Sequence, residues 1–405
     1  MINDVQGVID CQPEETGYDG TRIAVLHEHF ERLIEQKIIH GASYCILHKG
    51  KIIANGSIGK DNAMGRATDM QPDTVFGIAS ITKVFTATAI MQLVERGLIR
   101  LDTPVAEILP QFAHGPMAQI TLFHLLTHTS GLYPDGNCFP ETYPKSAWEL
   151  MSAAYEQAED KDKVDWIAAG IAPGLRVPTG TQWQYCSFGF CLLGEVVTRV
   201  SGVNVHQYIQ ENILNPLQMK DSGFAVTADM AKRHFCYDKE HENWLKEIAE
   251  GKRVDYSCDA EGARRAGDDD WYWGKIPSTG GGLHATVSDL IRFAGAMLQG
   301  GSLGDVRILG RKTIEKMTTI QLHDIPDYCW GAQEKNRLYG IGFDMRQGPA
   351  YTYSEGTFMH EGAGACSLDI DPSEQFAAAW YVPFACDDWS ALPLYNTQNI
   401  IWSGL

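Results

Sequence analysis

The stretch Ser80-Ile81-Thr82-Lys83 begins a long apolar segment that contains neither proline nor glycine before Gly97. Apolar residues occupy every face of the helix that this segment predicts, which is typical of a helix buried in a protein core. Lys83 then lies where an ammonium is poorly solvated, and desolvation favours the neutral amine. A neutral amine one turn away from a hydroxyl can accept its proton. The stretch therefore predicts a nucleophile, Ser80, with Lys83 as its base.

Two simpler interpretations compete with this one. A serine is a preferred N-terminal cap, and a lysine near a helix start can extend its ammonium to water.

The pattern S-x-x-K also occurs at Ser57-Ile58-Gly59-Lys60. There it follows a strand-like run, contains a glycine and precedes no helical pattern, so it predicts a strand end and a turn. The helical context favours Ser80, because unpaired N–H groups at a helix start can face a developing oxyanion.

The composition indicates an acidic globular protein. The 405 residues carry a formal net charge of -18, and 44% of them are hydrophobic. The negative charge argues against nucleic acid or an anionic membrane as a partner. No stretch approaches the ~20 apolar residues of a membrane span, and the N-terminus has no signal-like apolar run. Ten cysteines without a C-x-x-C pair predict free thiols and a cytoplasmic location.

One histidine pair raises the question of a metal. His124 and His128 are spaced for one face of a helix, as in the zinc-binding motif H-E-x-x-H. Leu125 stands where that motif has its glutamate. We find no phosphate-binding loop and no internal repeat, so the sequence predicts neither a metal site nor a cofactor.

Strand-like segments lie in pairs near the two ends of the chain. A short turn joins the members of each pair, which predicts two antiparallel hairpins. The segments are residues 43–48 and 51–57, then 365–370 and 375–382.

This order predicts one α+β domain over residues 1–405, with an antiparallel sheet closed by the chain ends. Terminal helices, at Thr21 to Lys37 and within Trp389 to Ile401, flank the sheet. The sheet lobe covers about 1–75 and 335–405, and a mostly helical lobe is inserted at about 76–334. Within that lobe, residues 228–275 are rich in charges and end with Trp271 and Trp273. They predict a solvated excursion whose aromatic end packs on the protein, or alternatively a lid over the substrate.

Four further stretches occur in the order, and at roughly the separations, found in serine β-lactamase-like hydrolases. Together with Ser80 to Lys83 they resemble the signature of the group that holds class C β-lactamases, low-molecular-weight penicillin-binding proteins, family VIII carboxylesterases and related amidases and acyltransferases. Residues 278–283 are also similar to the esterase-like members. The resemblance extends from about Ala42 to Val382 and implies the β-lactamase/transpeptidase fold. The four stretches are His124-Leu125-Leu126-Thr127-His128-Thr129-Ser130-Gly131-Leu132, Pro178-Thr179-Gly180-Thr181, Tyr185-Cys186-Ser187 and His360-Glu361-Gly362.

The resemblance implies a role for each residue that matches a motif. Ser80 is the nucleophile that forms an acyl-enzyme, and Lys83 keeps it deprotonated or relays its proton. Tyr185 acts as a phenolate or a proton shuttle. The N–H groups of Ser80 and Ala363 form the oxyanion hole. The substrate-binding residues implied by the same motifs are Ser187, His360, Glu361 and Gly362.

Three positions depart from the family pattern. Ser187 replaces the amide of the second motif, His360 replaces the lysine of the third, and Glu361 places a negative charge beside the pocket. All three changes disfavour a β-lactam, which presents an acylamide and a carboxylate.

We therefore expect a serine hydrolase for small neutral carboxylic esters, with no nucleic acid or membrane partner. The alternatives that share its site are a D-amino-acid amidase or peptidase, a β-lactamase and an acyltransferase. A non-catalytic binding protein of the same fold is the remote alternative.

Overall fold

The computed structural model of the protein describes residues 3–136, 138–139, 146–257, 259–363, 365–386 and 391–405. A six-stranded antiparallel sheet has the order β1-β3-β2-β10-β9-β8. Its strands are β1 (Asp4–Gln6), β2 (Gly41–His48), β3 (Lys51–Gly59), β8 (Phe358–Gly362), β9 (Cys366–Asp371) and β10 (Phe376–Tyr381). Two-stranded ribbons are formed by β4 (Phe76–Gly77) with β5 (His284–Ala285) and by β6 (Ser302–Leu303) with β7 (Val306–Arg307).

The two predicted hairpins lie side by side in this sheet. Strand β2 pairs with β3 and also with β10, where Ser43 is opposite Tyr381. Strand β9 pairs with β10 and with β8. The expectation of a sheet closed by the chain ends is wrong, because the sheet is open with β1 and β8 as its edges.

Alternate residues of β10 belong to two different hydrophobic cores. Ala377 and Ala379 pack in the core that also holds the apolar helix after Ser80. Ala378 and Trp380 pack in a second core with Phe30. Since successive side chains of a strand point to opposite faces, helices cover both faces of the sheet, and β10 is buried at every residue.

The helices of the described residues lie mostly between the two hairpins. They are α1 (Thr21–Glu35), α2 (Thr82–Glu95), α3 (Leu122–Leu126), α4 (Ala147–Gln157), α5 (Trp166–Ile171), α6 (Ser187–Ser201), α7 (Val205–Ile209), α8 (Ala228–Arg233), α9 (Lys239–Ala249), α10 (Ala260–Ala266), α11 (Val287–Leu298), α12 (Arg311–Met317) and α13 (Thr397–Trp402). A π-helical turn, Leu392–Asn396, precedes α13, and Trp389 lies outside the described residues.

Within the described ranges, no single helix is long and apolar enough to cross a bilayer. The segments Ser187–Ser201 and Val205–Leu214 reach that length and hydropathy only as a pair, which is bent by 81°.

The segment 228–275 is folded into α8, α9, α10 and a 3₁₀ turn, Asp269–Lys275. Its aromatic end packs on the protein as expected, because Tyr272 is fully buried and stacks on Tyr155 at 4.2 Å between ring centroids. Trp273 remains partly exposed. A lid function for this segment stays a prediction.

Candidate active site

Ser80 lies in a 3₁₀ turn, Ala79–Ile81, that leads directly into α2. Neither the turn nor α2 has a side chain that caps it, so the interpretation of Ser80 as a simple N-cap is wrong. Ala79 has a φ of +44°, a left-handed conformation that costs a residue with a Cβ about 1–2 kcal/mol. The strained residue immediately before Ser80 fixes the direction in which the chain enters α2.

Lys83 is fully buried one turn further along α2. It therefore does not extend to water, and the second simple interpretation is also wrong. Its Nζ lies 2.9 Å from Ser80 Oγ, 3.0 Å from Ser187 Oγ and 2.6 Å from the Gly280 carbonyl oxygen. Burial lowers the pKa of Lys83 to about 8, although the charge of Asp135 acts in the opposite direction. A substantial fraction of the amine is thus neutral at mildly alkaline pH.

Tyr185 is brought to the same point from the start of α6. Lys83 Nζ lies 4.7 Å from the centroid of the Tyr185 ring. Burial and the charge of Asp135 raise the pKa of the phenol well above 10, and an interaction with the Ser80 hydroxyl opposes that shift. Tyr185 is therefore a phenol near neutral pH, which favours the proton-shuttle role over the phenolate role.

Asp135 is a site residue that the sequence patterns did not reveal. Its Oδ2 accepts a hydrogen bond from the Ser187 hydroxyl at 2.6 Å, and its Oδ1 accepts one from the Ser187 N–H at 2.8 Å. Asp135 belongs to no family motif that we recognised and lies 52 residues before Ser187. Backbone pairing brings the two segments together, since the Asp135 N–H donates to the Tyr185 carbonyl at 2.9 Å.

The glycine-rich stretch 278–283 lies across α2 and α6. The Gly280 carbonyl is the shortest polar contact of Lys83, while the Thr86 hydroxyl donates to the Thr279 carbonyl at 2.8 Å. A Cβ on Gly280 would lie 2.7 Å from the Ser187 carbonyl oxygen, so a side chain would push this segment away. The stretch thus supplies an acceptor for Lys83, a role that its sequence did not indicate.

His360 is buried on β8, and its ring centroid lies 6.5 Å from that of Tyr185. Burial, with the charge of Lys83, lowers the pKa of the imidazole to about 3. Its Nδ1 lies 2.7 Å from the Glu361 carbonyl oxygen, which can only accept, so Nδ1 carries the hydrogen and Nε2 the lone pair. The histidine at the third motif is neutral and does not replace the positive charge of a lysine.

The expectation that Glu361 places a free negative charge beside the pocket is wrong. As the next residue of the strand, it projects from the face of β8 opposite to His360. Arg346 donates a hydrogen bond of 2.8 Å to its carboxylate and also bonds Tyr395. The charge is therefore paired with a cation on the far side of the strand, and it gives no argument against anionic substrates.

Strand β8 passes very close to the turn that carries Ser80. A Cβ on Gly362 would lie 2.3 Å from the Ile78 carbonyl oxygen, so only glycine fits there. Ala363 follows β8 and is exposed. Because the two segments are adjacent, the predicted oxyanion hole, formed by the N–H groups of Ser80 and Ala363, is compatible with the backbone.

The side chains of His124 and His128 accept hydrogen bonds from backbone N–H groups. Nδ1 of His124 accepts the Thr121 N–H at 3.1 Å and caps α3. Nδ1 of His128 accepts the Cys186 N–H at 3.1 Å and so holds the segment between Tyr185 and Ser187. In the described ranges of the chain, no group of three or more His, Cys, Asp or Glu side chains is placed to hold a metal ion.

Ser80 and the buried Lys83 at the start of α2, with the Tyr185 ring beside Lys83, resemble the arrangement of a β-lactamase-type site. A model of the family described as Beta-lactamase matches residues 26–383, and the chain belongs to that family. It is 30% identical over 281 residues to Esterase EstB of Burkholderia gladioli, which covers 65% of this chain and 67% of the esterase.

Two further comparisons extend this result. Monacolin J acid methylbutanoyltransferase of Aspergillus terreus is 32% identical over 192 residues, covering 43% of this chain and 44% of the transferase. The crystal structure of a family VIII carboxylesterase aligns with a TM-score of 0.69 and 20% identity, over 96% of this chain and 99% of that one. At that identity the structural likeness shows the β-lactamase/transpeptidase fold, and the family as a whole supports an enzyme.

Proposed function

We propose that this protein is a serine hydrolase that cleaves small neutral carboxylic esters through an acyl-enzyme on Ser80. The observation that carries the proposal is the buried Lys83 Nζ, 2.9 Å from Ser80 Oγ. A neutral Lys83 takes the Ser80 proton as Oγ attacks the ester carbonyl carbon, and the carbonyl oxygen becomes an oxyanion. The N–H groups of Ser80 and Ala363 receive that oxyanion.

Tyr185 then transfers a proton towards the leaving alcohol. The Lys83 ammonium is the source of that proton, and the Tyr185 phenol relays it so that the alcohol departs neutral. In deacylation, the Tyr185 phenol relays a proton from the attacking water to the neutral Lys83, and the Lys83 ammonium returns that proton to Ser80 Oγ as its bond to the acyl carbon breaks. The raised pKa of Tyr185 supports this relay, because the phenol keeps its proton until a stronger base receives it.

Two features of the site support esters over β-lactams. His360 is neutral and offers no positive charge to a carboxylate. Ser187 directs its hydroxyl at Asp135 and has no second donor for an acylamide carbonyl. The preference for esters rests on these two residues, since Glu361 is paired with Arg346.

Covalent labelling tests the nucleophile. A fluorophosphonate probe should add a single adduct to the intact mass, and Ser80→Ala should abolish both the adduct and ester turnover. Ser57→Ala is the matched control and should keep both. Labelling that persists in Ser80→Ala would overturn the assignment. A panel of p-nitrophenyl esters, D-amino-acid p-nitroanilides and nitrocefin should then give the highest kcat/KM with the esters.

Acyl transfer is the second candidate, because a relative that is 32% identical over 192 residues is named as a methylbutanoyltransferase. An acyl-enzyme partitions between water and any alcohol or amine that reaches it. With a p-nitrophenyl ester as donor, added alcohols should be assayed for a transfer product by mass spectrometry. Transfer that exceeds hydrolysis at millimolar alcohol would favour this candidate over the esterase.

A further inference from the structure

The Ser187 hydroxyl has a fixed direction in this site. Oδ2 of Asp135 lies 2.6 Å from Ser187 Oγ, and Oδ1 accepts the Ser187 N–H at 2.8 Å. A carboxylate only accepts hydrogen bonds, so the single hydroxyl proton of Ser187 faces Asp135. What Ser187 Oγ offers to Lys83, 3.0 Å away, is therefore a lone pair.

This direction decides how the amine of Lys83 is arranged. The Gly280 carbonyl, at 2.6 Å, can only accept, and Ser187 is also held as an acceptor. A neutral amine has two N–H bonds and one lone pair. Both N–H bonds are used by Gly280 and Ser187, so the lone pair faces the third neighbour, Ser80 Oγ.

We propose that Asp135 is a positioning residue that aims the lone pair of Lys83 at Ser80 by fixing the Ser187 hydroxyl. The inference rests on the proposed function, in which Lys83 is the base. In the reaction, the Ser80 O–H bond breaks, its proton forms a new N–H bond on Nζ, and Oγ bonds to the acyl carbon. The resulting ammonium then has three donors for three acceptors, so no neighbour has to reorient.

The variant Asp135→Asn tests this direction with almost no change in shape. Its amide oxygen must stay opposite the Ser187 N–H, which places the amide NH₂ beside Ser187 Oγ. That NH₂ donates, so the Ser187 hydroxyl turns its proton to Nζ and competes with Ser80 for the lone pair. We expect kcat/KM for p-nitrophenyl acetate to fall about 100-fold or more, the usual contribution of a general base.

A double mutant distinguishes a misdirected Ser187 hydroxyl from a general disturbance of the site. In Asp135→Asn with Ser187→Ala, the competing proton is gone, so activity should equal or exceed that of Asp135→Asn alone. If instead the double mutant lost activity by the product of the factors lost in Asp135→Asn and in Ser187→Ala, the two residues would act independently. That result would overturn the proposal.

The pH profile gives a second readout. Several titratable groups face Lys83, and the following pKa shifts move each of them away from pH 8, near which Lys83 titrates. Burial raises the pKa of Tyr185, Cys186 and Cys191, a hydrogen bond with Cys329 together with burial raises that of Cys138, and burial lowers those of His128 and His360.

Loss of the Asp135 charge lowers the pKa of Lys83 further, so the acid limb of kcat/KM should move to lower pH in Asp135→Asn. The plateau above that limb should stay about 100-fold low, because its cause is direction rather than protonation. A variant that reached the wild-type rate at high pH would show that Asp135 acts only as a charge, and the proposal would fail.

Asp289→Asn is the matched control. Asp289 is buried and accepts an Asp221 N–H and the Ser222 hydroxyl, each at 2.8 Å, but it lies outside the site. The variant Asp289→Asn should keep the wild-type kcat/KM for p-nitrophenyl acetate. The proposed function is checked separately by Ser80→Ala. If turnover depends on Ser80 and yet Asp135→Asn is fully active, only the positioning role is overturned.

Discussion

The two S-x-x-K stretches of this chain have the same pattern and opposite structures. Ser57 lies in β3, is fully buried and donates to the Met70 carbonyl at 2.8 Å. Lys60 lies beyond the strand end, is 42% exposed and pairs with Asp69. Ser80 and Lys83 instead start α2, with Nζ and Oγ 2.9 Å apart.

The difference follows from the period of the backbone. Residues i and i+3 share a face of a helix, whereas in an extended chain they project to opposite faces. A serine and a lysine three residues apart therefore meet on a helix and separate on a strand. The motif has chemical meaning only together with its secondary structure, and the following predictions test that contrast.

Replacement of each lysine by arginine should give the largest difference in activity between the two stretches. Lys83→Arg should lower kcat/KM for p-nitrophenyl acetate by about 10²–10⁴-fold, because a guanidinium does not accept a proton near neutral pH. Lys60→Arg should change it less than about twofold, since surface ion pairs contribute little. If Lys83→Arg kept a tenth of the activity, Lys83 would not be the base.

The pH dependence should follow the buried lysine. With a pKa of about 8, about a tenth of Lys83 is neutral at pH 7, so kcat/KM should rise about tenfold per pH unit below 8 and level off above it. Initial rates between pH 6 and 10 measure this. A flat profile across that range would show that the protonation state of Lys83 does not control kcat/KM.

Removal of the two serines should have different main effects, a loss of stability at Ser57 and a loss of activity at Ser80. Ser57→Ala leaves the buried Met70 carbonyl without its hydroxyl donor and should cost about 1–3 kcal/mol of unfolding free energy, with activity retained. Ser80→Ala should abolish activity with a smaller loss of stability. Urea unfolding compares the two variants. Equal losses of stability would mean that Ser80 is as structural as Ser57.

The smallest effect is expected at Glu361. Glu361→Gln should change the ratio of nitrocefin to ester hydrolysis by less than about twofold, because the carboxylate is paired with Arg346 across the strand and a paired charge is largely compensated. A large gain of nitrocefin hydrolysis would show that the Glu361 carboxylate does repel anionic substrates. Glu361→Leu, which removes all hydrogen bonding, should give the same ratio.

Local patterns predicted the parts of the fold that depend on local sequence. The hairpins at residues 43–57 and 365–382 and the buried helix after Ser80 are confirmed, because alternation and turn residues specify them directly. The open edges of the sheet were not predicted. Whether a sheet closes depends on how distant strands pair, and no local pattern records that.

Two site residues show the limits of sequence patterns. Asp135 lies in Pro134-Asp135-Gly136, a sequence that predicts a turn but gives no indication of a site. Backbone pairing with Tyr185 brings it beside Ser187. Glu361 is different, since its side was predictable. Neighbouring residues of a strand face opposite ways, so His360 and Glu361 could not both line one pocket.

The burial of Lys83 has a consequence for how this protein would change if its reaction were no longer needed. The folded state lowers the pKa of Lys83 from 10.5 to about 8, so the unfolded chain binds the extra proton more readily between those pH values. Stability therefore rises with pH across that window, and at pH 7 the lysine opposes folding. A lineage released from catalysis would gain stability by replacing Lys83 with an apolar residue. Loss of this lysine, while Ser80 remained, would mark the first step towards a non-catalytic descendant.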